Sequence, residues 1–124
     1  MGCVLTYAPA ATWNPIADQG KTWSRTVIYK IGGTPFDTTG WAGRMMVRRN
    51  YDSLPVVSLT SAPGGGITLG GVTGEIVFFV GADDMEVLVG KYVYDLELYD
   101  PNDVEIVYGI IRGTLTVRRE VTYV

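Results

Sequence analysis

Histidine is absent from the 124 residues, cysteine occurs once, and lysine occurs three times, as Lys21, Lys30 and Lys91. Each shortage closes off a class of chemistry. Without histidine there is no Ser–His–Asp triad, no Cys–His dyad, no HExxH zinc site and no side chain that titrates unperturbed near neutrality. The lone Cys3 cannot close an internal disulfide, and one thiol without histidine partners is no metal site. Ten basic against thirteen acidic side chains leave a net charge of −3. That balance is poorly suited to holding a phosphate backbone, so no nucleic-acid partner is expected. Long apolar runs are missing too. The uncharged stretch of residues 53–74 is broken by Pro55, Pro63 and Gly64–Gly65–Gly66, which argues against a membrane helix and a membrane partner. The first basic residue is Lys21, so no basic segment precedes an apolar one as in a secretory signal.

What remains is a chain of one domain's length, 47% hydrophobic and 19% charged, with 16 glycines. Period-two alternation dominates it. Trp23, Arg25, Val27 and Tyr29 alternate with Ser24, Thr26 and Ile28. Residues 41–49 place Gly43, Met45 and Val47 on one face and Arg44, Met46 and Arg48 on the other. Further strands are expected over 56–60, 67–69, 75–80, 91–99, 104–107 and 110–118. In the 91–99 segment Tyr92, Tyr94, Leu96 and Leu98 face away from Asp95 and Glu97. Asp83, followed by Glu86 three residues later, reads as the start of a helical turn over residues 83–88, ended by Gly90. Asp100–Pro101–Asn102–Asp103 is a tight turn, since proline pre-sets φ and Asn and Asp tolerate turn geometry. Seven or eight short antiparallel strands, one helical turn and Gly/Pro punctuation every 8–12 residues predict an all-β sandwich, with a small closed barrel as the alternative. Residues 1–10 form an uncharged N-terminal arm, and residues 11–124 one β-sandwich domain.

Several motifs invite a chemical reading and fail on context. Gly20–Lys21–Thr22 resembles the end of a phosphate-binding loop, but Pro15 stands where that loop needs glycine and a strand follows. The glycines of residues 64–74 also precede a strand instead of the helix N-terminus that phosphate would need. Asp95, Glu97 and Glu105 are candidate paired carboxylates for sugar hydrolysis, yet Asp95 and Glu97 sit where a half-buried strand normally carries its solvated charges. Asp100, Asn102 and Asp103 lack the glycine and distal glutamate of a calcium loop. Catalytic residues, metal ligands and cofactors are therefore all expected to be absent. Three Trp, eight Tyr and three Phe could line a carbohydrate groove, although alternation puts most of them inward.

The anomaly lies on the opposite faces. Arg44, Met46 and Arg48 share one outward side, and Val77 and Phe79 lie opposite an already apolar side. Arg and Met among aromatics are the composition that protein interfaces favour. If strands 41–49 and 75–80 shared one sheet, these five side chains would form a single stripe. The arm is uncharged through Pro15, so Val4, Leu5 and Trp13 are expected to be buried against a neighbouring subunit to offset their ordering entropy.

The order of certain blocks is also informative: Ala11–Thr12–Trp13–Asn14–Pro15 with Gln19–Gly20; Thr39–Gly40–Trp41–Ala42–Gly43–Arg44–Met45; Gly65–Gly66–Ile67–Thr68–Leu69; Gly90–Lys91–Tyr92–Val93–Tyr94–Asp95–Leu96–Glu97; and Ile111–Arg112–Gly113–Thr114–Leu115–Thr116–Val117. Over about residues 11–123 this resembles the small immunoglobulin-like β-sandwich domain of tailed-phage virion proteins, as in the N-terminal part of the baseplate upper protein family. The resemblance implies a non-enzymatic structural protein of the phage particle, made in the host bacterial cytoplasm. Its partners would be other virion proteins (tail, baseplate or fibre subunits), with several copies per particle. Members commonly continue into a stalk or receptor-binding region, and this chain stops at Val124. An adaptor between the tail or baseplate core and fibres or receptor-binding proteins is therefore expected, with a capsid-decorating subunit or a carbohydrate-binding module as alternatives.

Overall fold

Alternation in sequence becomes alternation in burial along the long strands of this chain. The computed structural model describes residues 10–122. In chain order the strands are β1 (Ala11–Thr12), β2 (Ile16–Asp18), β3 (Trp23–Ile28), β4 (Lys30–Ile31), β5 (Thr34–Pro35), β6 (Ala42–Arg48), β7 (Pro55–Thr60), β8 (Ile67–Leu69), β9 (Glu75–Val80), β10 (Gly90–Asp100) and β11 (Asp103–Arg118). A large sheet runs β1–β11–β10–β6–β7, with β2 also on the outer edge of β11; a small sheet runs β3–β9–β8; β4 and β5 form a separate hairpin. The two larger sheets pack into an all-β sandwich. Met45, Val47, Leu96, Leu98 and Leu115 from one sheet and Trp23, Ile76, Phe78 and Val80 from the other belong to a single buried cluster.

The strand count exceeds the seven or eight expected, and not all pairings are antiparallel. Strands of two or three residues are too short to show periodicity, so β1, β2, β4 and β5 leave no signal in the sequence. β1 and β2 run parallel to β11, pairing Ala11 with Ile111 and Ile16 with Thr116. The link is reinforced where Trp13 N–H donates to the Arg112 carbonyl (2.9 Å) and Arg118 Nε donates to Asp18 Oδ1 (2.8 Å). Arg118 holds the Asp18 carboxyl below the ordinary value through that bond. Gly113 has to be glycine, because a side chain there would run into the Trp13 carbonyl oxygen.

The two segments expected at 104–107 and 110–118 are one strand. Leu96 pairs with Ile111 but Glu97 with Gly109, so Ile110 is an extra residue in a β-bulge, and both isoleucines are buried. The expected helical turn is present as a short helix, Ala82–Glu86, but it begins differently. Gly81 is its N-cap, no side chain caps it, and Asp83 and Asp84 occupy the first turn, where negative charge meets the positive end of the helix. Buried Met85 and Leu88 seal that end of the sandwich. A 3₁₀ turn, Gly71–Thr73, adds a second helical piece.

Candidate interaction surfaces

The five residues that would form one stripe if their strands shared a sheet lie on two surfaces. Arg44, Met46 and Arg48 are on β6 in the large sheet, whereas Val77 and Phe79 are on β9 in the small one. Alternation identified their outward direction correctly, but the strands belong to different sheets, so the two groups face away from each other. Trp13 is not on a free surface. It stacks on Trp23 (6.2 Å between centroids), meets Tyr94 edge-on (6.4 Å) and carries the Arg25 guanidinium over its ring (4.7 Å). Tyr94 Oη donates to the Trp13 carbonyl at 2.6 Å, and burial pushes the Tyr94 phenol up to about 12. Trp13 is thus bound to the chain's own core. Val4 and Leu5 lie outside the described residues.

The outer face of the large sheet is a mosaic of charges that mostly satisfy one another. Arg44 is hydrogen-bonded to Glu97, its partner across the β6–β10 ladder, and its guanidinium lies 4.4 Å from the centre of the Tyr99 ring. Arg48 donates to the Ser53 carbonyl (2.6 Å), which pins the 49–54 turn, and its second nitrogen approaches Met46 Sδ at 3.3 Å. One rung further in, Met46, Asp95 and Arg112 sit side by side on β6, β10 and β11. They floor a groove of about 480 Å³ whose walls include Tyr51 on one side and Ala10 on the other. Burial in the groove raises the Asp95 carboxyl pKa, the Glu97 charge raises it further, and Arg112, Arg48 and Arg44 oppose both.

The outer face of the small sheet differs in kind. Ser24, Thr26 and Ile28 of β3 pair with Phe79, Val77 and Glu75 of β9, and Thr68 of β8 flanks Val77. Glu75, at one end, is the only charge in this set. Ile28 and Phe79 are each 53% exposed. Among the described strands, β3 is the edge of its sheet and pairs only with β9.

The remaining candidates resolve into structural roles. Asp95 and Glu97 share the outer face of β10, while Glu105 lies beyond the Tyr99–Val107 rung and does not join them. Asp100 and Asp103 accept hydrogen bonds from the N–H groups of Asn102 (2.9 Å) and Glu105 (3.1 Å), which is turn chemistry. Lys21 pairs with Glu120 at 3.5 Å. Beyond the Trp13–Trp23–Phe78–Tyr94 cluster, a second aromatic cluster joins Tyr29, Phe36, Trp41 and Tyr108 at centroid distances of 5.1 to 6.0 Å. Most aromatic area is thereby taken up within the fold. Among the described residues, no three His, Cys, Asp or Glu side chains converge as a metal site, and no helix is long and apolar enough to cross a membrane.

No protein-family model matches this sequence, and no curated protein shows significant similarity to it.

Proposed function

We propose that this chain is a non-enzymatic structural subunit of a tailed-phage virion, an adaptor that joins the tail or baseplate core to fibres or receptor-binding proteins. The virion assignment is supported by the ordered sequence blocks described above, of which the longest, Gly90–Glu97, lies in β10 and pairs with β11, which carries Ile111–Val117. The adaptor assignment is carried by one observation: the small-sheet face exposes Phe79 and Ile28 next to the open edge of β3, with charge only at its margin. A sandwich wet on both outer faces has no need of these side chains. Burying each against a partner contributes about 1.5–3 kcal/mol before ordering costs, and the β3 edge offers backbone donors and acceptors for strand addition. Val77, between Thr26 and Thr68, gives the patch its centre.

Immunogold electron microscopy of purified particles, with antibody against this chain, tests the assignment. Label at the tail tip or baseplate is expected, and Phe79→Asp with Ile28→Asp should yield folded chain that no longer enters particles. Label over the capsid shell would make the chain a decorating subunit, and its absence from particles would end the virion reading.

A further inference from the structure

The hydrogen bonds of β9 fix which backbone groups of β3 face outward. Phe79 N–H donates to the Gly66 carbonyl on the β8 side, and Tyr29 N–H donates to that of Gly74, both at 2.9 Å. By alternation, Trp23, Arg25 and Val27 turn their backbone groups toward β9, and Ser24, Thr26 and Ile28 turn theirs away from it. Among the described residues nothing bonds to the N–H and C=O groups of those three. The β7 edge of the large sheet is guarded: it starts at Pro55, its register slips beside Val47, and Thr60 N–H is taken by the Gly65 carbonyl. β3 has no proline, lysine or bulge, and its one charge, Arg25, is folded over the Trp13 ring. The free groups are also self-complementary. An antiparallel copy centred on Thr26 sets Thr26 against Thr26 and each Ser24 against an Ile28. Ile28 is large and half-exposed, whereas Ser24 is small and its hydroxyl is tied down to the Phe78 carbonyl (2.9 Å). Behind Ser24, in the same row, stands half-exposed Phe79.

We propose that β3 pairs with β3 of a second copy of this chain, antiparallel about a two-fold axis at Thr26. Each pair of facing residues exchanges two backbone hydrogen bonds, and Ile28 of each copy reaches over Ser24 of the other to its Phe79 ring. A register centred on Arg25 would set two guanidinium groups directly opposite; this one sets Val27 opposite Arg25. Covering the exposed halves of two Ile28 and two Phe79 side chains removes several hundred Å² at most, short of the roughly 1,000 Å² that a permanent interface needs. The pair is therefore reversible in free solution and tightens where copies are held side by side. It rests on the surface that carries the adaptor reading and names a second copy as that surface's first partner, without drawing on the virion assignment.

Amide NMR of the full-length protein from about 20 µM to about 2 mM tests this, a span that brackets weak self-association. As concentration rises, the Ser24, Thr26 and Ile28 amides should shift and exchange more slowly with solvent, while those of buried Phe78 and Leu96 stay unchanged. Thr26→Lys, which opposes two like charges at the axis, should abolish the shifts and leave the core spectrum intact. In a Cys3→Ser background, Ser24→Cys chains should form disulfides with Ile28→Cys chains but not with each other, because the two 24 positions lie about 14 Å apart in this register. Three results would overturn the proposal: no dependence on concentration; shifts centred on Met46 and Arg112; or Ser24, Thr26 and Ile28 amides already protected at the lowest concentration, which would mean that the chain covers its own edge. Self-association by a chain absent from particles would end the virion reading alone, and label at the tail tip without self-association would end this one alone.

Discussion

The two outer faces of this sandwich solve the problem of facing water in opposite ways. On the large sheet, Arg44, Glu97, Arg48 and Tyr99 bond to one another or to a neighbouring turn, so charge is distributed and mostly matched. On the small sheet, threonines and a serine lie among exposed Ile28, half-buried Val77 and exposed Phe79. Equal membership of one core therefore does not impose equal surfaces. A face that satisfies itself needs no partner, and a face that leaves aromatic area exposed gains from one.

The sharpest way to break this comparison is at adjacent residues of β9. Phe78 is fully buried, so Phe78→Ala should cost about 3–5 kcal/mol in urea denaturation. Phe79→Ala should cost less than about 1 kcal/mol, as expected for a surface site. Equal losses would mean that the small-sheet face is covered by the chain itself, and the contrast between the faces would disappear. Next in size is the clamp on Trp13. Tyr94→Phe leaves the Trp13 carbonyl without its donor and should cost about 1–2 kcal/mol, with Trp13 fluorescence shifting toward that of an exposed indole.

A smaller effect tests the self-satisfied face. A double-mutant cycle between Arg44→Ala and Glu97→Ala should give a coupling of about 0.5–1 kcal/mol that shrinks in high salt, because both side chains retain partial exposure. The smallest effect concerns Asp95. Burial raises its folded pKa above the ordinary 3.8, so the folded state binds this proton more tightly than the unfolded state does. Its contribution favours folding most when the carboxyl is protonated, and is lost as pH rises from 3.8 through the folded value. Asp95→Asn should flatten stability against pH in that window and leave neutral-pH stability equal or slightly higher.

Much of this architecture was legible from residue order. Strands β6, β9 and β10 follow from alternation, because the physical cause of the pattern, one buried face, is the cause of the strand. The outward direction of Met46 and Phe79 was legible for the same reason. Their separation was not, since alternation says which way a side chain points relative to its own strand and nothing about which sheet that strand joins. The surroundings of Trp13 were not legible because, Trp23 and Arg25 aside, they come from distant parts of the chain: Tyr94 is 81 residues away in sequence. The groove was hidden similarly, being floored by side chains of three strands, β6, β10 and β11.

The parallel docking of β1 and β2 on β11 also orders events in time. Ala11 pairs with a residue one hundred positions later, and Asp18 with Arg118. During synthesis β1 and β2 therefore remain without this ladder partner until about a hundred further residues have been translated. That edge of the large sheet is completed only when β11 has been made. Such non-local pairing favours folding on the millisecond-to-second scale characteristic of all-β domains. It also means that a chain truncated before β11 leaves β1 and β2 without their partner and exposes the unpaired edge of β10 to whatever strand it meets first.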